Sequence, residues 1–87
     1  MKINKTTDFV ETVVGDEIVL MHTGDGRFFS LTGTARRAWE LIETCPDRDA
    51  LVAALLAEYD ADAAEIAGDV DALLARLAQR SLVEMAD

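Results

Sequence analysis

His22, Cys45 and the acidic series Asp60, Asp62, Glu65, Asp69 and Asp71 are the residues whose types could do chemistry in this chain. A thiolate activated by an imidazole makes a nucleophile, and thiolates with imidazoles make a zinc site. Neither arrangement is available with one histidine and one cysteine. His22 closes a strand-like run beside a turn, which predicts a solvated side chain. Cys45 precedes Pro46 at a helix end, a position that suits a small buried apolar residue. The acidic series lacks the central glycine and the bidentate glutamate at the twelfth position of a calcium loop. Gly24-Asp25-Gly26 lacks the lysine of a phosphate loop and reads better as a hairpin turn. The expectation is a protein that is not an enzyme and carries no cofactor and no metal.

What remains is binding, and charge narrows the partner. The 87 residues carry 17 acidic and 8 basic side chains, for a net charge of -9. Such a surface repels phosphate backbones and anionic lipid heads, so no nucleic acid and no membrane is expected; it favours a neutral or basic partner. The hydrophobic fraction of 51 % is enough for one core, and residues 1-87 read as a single domain. The start Met1-Lys2-Ile3-Asn4-Lys5-Thr6 has no apolar signal region, and no run is long enough to span a membrane. A cytoplasmic location follows as the expectation.

The elements that must position a binding site are legible in the periodicities. Phe9–Val14 and Glu17–His22 are short runs rich in β-branched residues, separated by Gly15-Asp16, the length and chemistry of a tight hairpin. Thr23-Gly24-Asp25-Gly26 turns the chain into a third strand, Arg27–Leu31. A helix follows from an N-cap at Thr32 or Thr34, with Ala35, Ala38, Trp39 and Ile42 on one face, and Pro46 stops it. Asp47 caps a second helix with Leu51, Val52, Leu55, Leu56 and Tyr59 as its apolar stripe. Asp62 and Glu65 form a capping-box pattern that opens a third helix, lined by Ile66, Val70, Leu73, Leu74 and Leu77. Ser81–Met85 is a short apolar tail expected to pack back on the sheet. The predicted fold is α+β: a three-stranded antiparallel β-meander followed by three helices, winged helix-turn-helix-like.

That fold class admits a nucleic-acid reader, with Arg36, Arg37 and Arg48 as phosphate contacts. The third helix would then enter the groove with Asp62, Glu65, Asp69 and Asp71 ahead of its first arginine, Arg76, and would be repelled. A winged-helix nucleic-acid-binding protein is therefore the alternative reading. An acyl carrier is excluded, because Arg80-Ser81-Leu82 ends a helix where the phosphopantetheine serine would have to begin one.

Gly26-Arg27-Phe28-Phe29-Ser30-Leu31-Thr32-Gly33-Thr34-Ala35, followed by Ala38-Trp39-Glu40-Leu41-Ile42, resembles the PqqD-like family. Its members show a glycine, two aromatics, a Leu-Asn pair, a small-residue turn and an aromatic in the first helix. Tyr59-Asp60, Ile66, Asp69-Val70, Leu73-Leu74, Leu77 and Leu82-Val83 resemble its second half. Thr32 stands where asparagine or aspartate is common, and Ser81 where glycine is usual. The resemblance implies a RiPP precursor-peptide recognition element, in which the leader is held as an added strand against the third strand, in a cleft walled by the third helix. It implies as partners a precursor (leader) peptide and a separate modifying enzyme such as a radical SAM protein, cyclase or leader protease. It leaves the product class open among pyrroloquinoline quinone, lasso peptide and other pathways.

The residues support such a site on their own terms. The third strand is an edge strand with no proline to block addition, and open edges invite β-augmentation. Alternation places Arg27, Phe29 and Leu31 on one face and Phe28 and Ser30 on the other. It does not say which face is core, although Leu31 favours the Phe29 side and would leave Phe28 exposed. On the third helix Asp69, Leu73, Arg76, Leu77 and Arg80 fall on one flank. Leu73 and Leu77 fit a groove floor or the core equally, with Asp69, Arg76 and Arg80 at the rim. Truncating Phe28 or Leu73 is then expected to weaken leader binding without unfolding the domain, and the net charge predicts a basic leader. A generic interaction module or a dimer built on the same edge fits the pattern as well.

Overall fold

A computed structural model describes residues 2–86; Met1 and Asp87, which the single-domain reading includes, lie outside it. In chain order the elements are β1 (Lys2–Lys5), β2 (Phe9–Val14), β3 (Glu17–His22), β4 (Phe28–Leu31), α1 (Gly33–Leu41), α2 (Arg48–Glu58), α3 (Ala63–Gln79) and β5 (Val83–Ala86). β2, β3 and β4 form an antiparallel meander in that order, so β2 and β4 are its edges. The register pairs Leu20 with Glu11 on one side and Phe29 on the other. The meander and three helices agree with the sequence expectation.

The tail differs. Val83–Ala86 does not pack back on the meander but pairs antiparallel with Lys2–Lys5 as a separate two-stranded ribbon. Lys-Ile-Asn-Lys offers a single apolar residue, Ile3, too little for a periodic signal. Ile3 nevertheless is 1 % exposed, and its N–H donates to the Pro46 carbonyl.

One face of the meander contributes Ile18, Leu20 and Leu31 to the core, where they meet Ala38, Trp39 and Ile42 around α1. Leu51 and Leu55 of α2 and the α3 stripe of Ile66, Val70, Leu73, Leu74 and Leu77 complete it. Each such leucine contributes on the order of 1.5–3 kcal/mol by leaving water. Asp47 and Asp62 cap α2 and α3, accepting from the N–H groups two and three residues on. Thr32 is the N-cap of α1 but makes no side-chain cap bond.

The end of α3 is a Schellman turn. Leu82 N–H donates to the Leu77 carbonyl at 3.0 Å and Ser81 N–H to that of Ala78 at 3.1 Å. Ser81 sits at φ +58°, the conformation that a glycine adopts without cost, and this is the position where the resembling family carries glycine. The turn buries Leu82 against Leu77 and aims β5 at β1.

Candidate functional site

The turn before β4 is built from side chains. The His22 Nδ1 accepts from the Gly24 N–H at 3.0 Å, and Asp25 Oδ1 accepts from the Arg27 N–H at 2.9 Å. That bond, helped by the nearby Arg27 charge, holds the Asp25 carboxyl below its usual range. A Cβ on Gly24 would lie 2.9 Å from the imidazole, which would have to shift, and Gly26 supplies φ +72°. His22 thus shapes a turn.

β4 leaves this turn with one side free. His22 N–H donates to the Arg27 carbonyl at 2.9 Å, which sets the hydrogen-bonded pairs. By antiparallel alternation Phe29 and Leu31 exchange bonds with Leu20 and Ile18, whereas Phe28 and Ser30 turn their N–H and C=O groups away from β3. The outward edge therefore carries two donors and two acceptors.

Side chains divide between the two faces. Leu31 is buried, Phe29 half-buried, and Phe28, at 65 % exposed, stands on the outer face beside Met21 and Val10. Ser30 and Arg27 are exposed, the latter 3.9 Å from Asp25. The core side is thus the Phe29 side.

α3 packs chiefly on α2, β5 and α1, and it reaches β4 through two arginines. The Arg76 and Arg80 guanidinium carbons lie over the Phe29 ring at 5.4 and 5.6 Å. Beside them a pocket of about 270 Å³ opens between α3 and the start of α1. Thr32, Thr34, Ala35, Ala38, Asp69, Val70, Ala72, Leu73 and Arg76 line it.

Of the residues named from sequence, the structure gathers Phe29, Arg76 and Arg80 in one stack and Asp69, Leu73 and Arg76 around one pocket. Leu31 and Leu77 lie in the core, the latter 0 % exposed. Phe28 faces away from α3. The α1 contribution, Thr34, Ala35 and Ala38, adds to the site residues named from sequence. Its signal is the pair of alanines three apart, small residues facing a helix that presents Leu73 and Val70.

The arginines considered as phosphate contacts are engaged elsewhere. Arg37 grips Glu58 at 2.7 and 2.9 Å, Arg48 grips Asp71 at 2.9 and 2.8 Å, and Arg36 reaches the Gly15 carbonyl and Glu40. No group of metal-ligating side chains occurs among the described residues, and no described helix is long and apolar enough to cross a membrane.

No curated protein sequence matches the chain. Two solved structures share its fold. TbiB1 in complex with the TbiA(beta) leader peptide superposes with a TM-score of 0.85 at 32 % identity, covering 97 % of this chain and 99 % of that one. A lasso peptide synthetase B1 complexed with the leader peptide also gives 0.85, at 15 % identity over 98 % and 100 %, a likeness of fold alone. The family model described as Coenzyme PQQ synthesis protein D fits residues 17–83, from β3 to the first residue of β5, and the chain accordingly belongs to the PqqD family.

Proposed function

We propose that this domain binds the leader region of a ribosomally synthesised precursor peptide as an added strand along β4. In this reading it works in the cytoplasm, performs no chemistry itself, and presents the peptide to a separate modifying enzyme or protease. The observation that carries the reading is the free edge of β4, whose Phe28 and Ser30 backbone groups lack a strand partner among the described residues, beside the contact of Phe29 with Arg76 and Arg80 of α3. Main-chain bonds along such an edge supply affinity, and the neighbouring pocket supplies selectivity. The 32 % identical relative, solved with a leader peptide, supports the same assignment.

The test is a titration of the purified chain with the fluorescein-labelled leader encoded by the nearest short open reading frame, with random duplex DNA as control. Saturable micromolar binding of the leader, with DNA inert, is expected. Ser30→Pro removes one outward N–H and leaves the bonds to β3 in place, a change that edge strands tolerate. It should weaken the leader by about tenfold or more, since each main-chain bond is worth about 1 kcal/mol and the ring obstructs the approach. Full affinity in Ser30→Pro would exclude strand addition on β4. DNA binding without leader binding would replace the reading by the winged-helix one.

A further inference from the structure

We propose, resting on the peptide-binding reading, that the strand received by β4 carries an acidic residue that sits over Arg76 and Arg80. With 17 carboxylates to 8 cations, an arginine in this chain has every opportunity to pair. Lys5, Arg27, Arg36, Arg37 and Arg48 do so, with Glu43, Asp25, Glu40, Glu58 and Asp71. Arg76 and Arg80 are exposed, one helical turn apart, and meet no carboxylate among the described residues. What holds them is the Phe29 ring. A guanidinium attracted to a ring face keeps its in-plane N–H fork for a second partner.

Their location decides what that partner is. Phe29 belongs to the strand beside the open edge, and an added strand lies about 4.8 Å further out. Its inward-facing side chain next to Phe29 comes under the two guanidiniums. A carboxylate there accepts from one or both forks in a site that the incoming strand itself shields from water. Farther along the groove the charge reverses at Asp69. Nine residues of helix separate Asp69 from the middle of the arginine pair, about 13 Å at 1.5 Å per residue. That span is about four residues of extended strand, so the acid is followed or preceded on the same face, about four positions away, by a residue that is not acidic.

Charge on the whole molecule sharpens this choice. A net charge of -9 disfavours an acidic peptide over most of the surface, so a carboxylate in the wrong register is penalised while one over Arg76 and Arg80 is rewarded. The same field, with Asp69 in the groove, disfavours a polyanion such as nucleic acid. The basic leader expected from net charge alone is therefore reversed locally: the groove holds two arginines with no carboxylate beside them among the described residues.

The experiment is affinity selection of a random dodecapeptide display library on the wild-type chain and on the exposed-site double variant Arg76→Glu/Arg80→Glu, with circular dichroism confirming that the variant is folded. Several-fold enrichment of Asp and Glu at one position is expected on the wild type, switching to Lys and Arg on the variant. An acidic peptide so selected should bind about tenfold more weakly to Arg76→Gln/Arg80→Gln, with a flatter dependence on salt. Wild-type peptides that show no acidic preference would overturn this inference and leave peptide binding standing. Recovery of no peptide at all would remove both. Random duplex DNA that binds the wild type and not the double variant would overturn it in favour of a phosphate ligand.

Discussion

The indole Nε1 of Trp39 donates to Glu11 Oε1 at 2.6 Å, joining the centre of α1 to the outermost strand of the meander. Trp39 is 0 % exposed, meets Phe9 edge-on at 5.4 Å and has Lys5 Nζ 4.1 Å from its ring centre. One side chain thus ties β1, β2 and α1 together, which keeps the sheet steady while its opposite edge stays open. Glu11→Ala leaves the indole N–H without this acceptor and should cost about 1–2 kcal/mol. The single tryptophan reports the loss directly in urea titrations followed by its fluorescence. An unchanged midpoint would mean that water replaces the carboxylate at no cost.

α3 carries a glycine where alanine would serve better, and the turn after it a serine where glycine would. A Cβ on Gly68 meets nothing within 4 Å, and Ser81 is held at φ +58°. Gly68→Ala should therefore raise stability by about 1 kcal/mol. Ser81→Gly should do so by a similar amount, about 1 kcal/mol, by relieving left-handed strain. Thermal unfolding of each variant and of the pair checks both signs, and additivity is expected because the sites share no partner.

Acid should loosen the contacts between helices. Asp71 and Glu58 lie below their ordinary values of 3.8 and 4.5, the first because Arg48 hydrogen-bonds it and the second because Arg37 does. A carboxylate lowered on folding stabilises fully above its ordinary value, and that contribution is lost as pH falls through the folded one. Protonation also relieves the self-repulsion of an acidic chain, an opposing trend. Comparison of wild type with Arg48→Gln separates the two. The wild type should lose more of its urea midpoint between pH 6 and pH 3, and parallel pH curves would show the pair to be inert.

Phe28 and Leu73 should respond differently to truncation. Phe28 is 65 % exposed and Leu73 3 %. Phe28→Ala is expected to change stability by no more than about 0.5 kcal/mol. Leu73→Ala should cost about 2–4 kcal/mol, as a core cavity does, whatever it also does to binding. Equal unfolding midpoints for the two variants would contradict this division.

Strong periodicity made the meander, the three helices and the caps at Asp47 and Asp62 legible from sequence. Local signals do not carry long-range pairing, so neither β1 nor its partnership with the tail has a signature in the sequence. At the site, alternation pointed to Phe28 as exposed, with Leu31 deciding the face. The helical flank could not sort Leu77, which is core, from Arg76, which is rim, because both belong to the same arc of α3. The pairing of Phe29 with Arg76 and Arg80 had no sequence signal, since aromatic and cation lie on elements separated by two helices.

The ribbon of β1 and β5 joins the two ends of the described chain, Lys2 opposite Ala86. No other contact among the described residues closes so long a loop, and closure entropy grows with the chain enclosed. The ribbon should therefore zip shut after the meander and helices have assembled, and should be the first element to breathe open afterwards. Hydrogen exchange would follow that order, with the amides of Asn4 and Glu84, which face each other across the ribbon, losing protection well before that of Leu20.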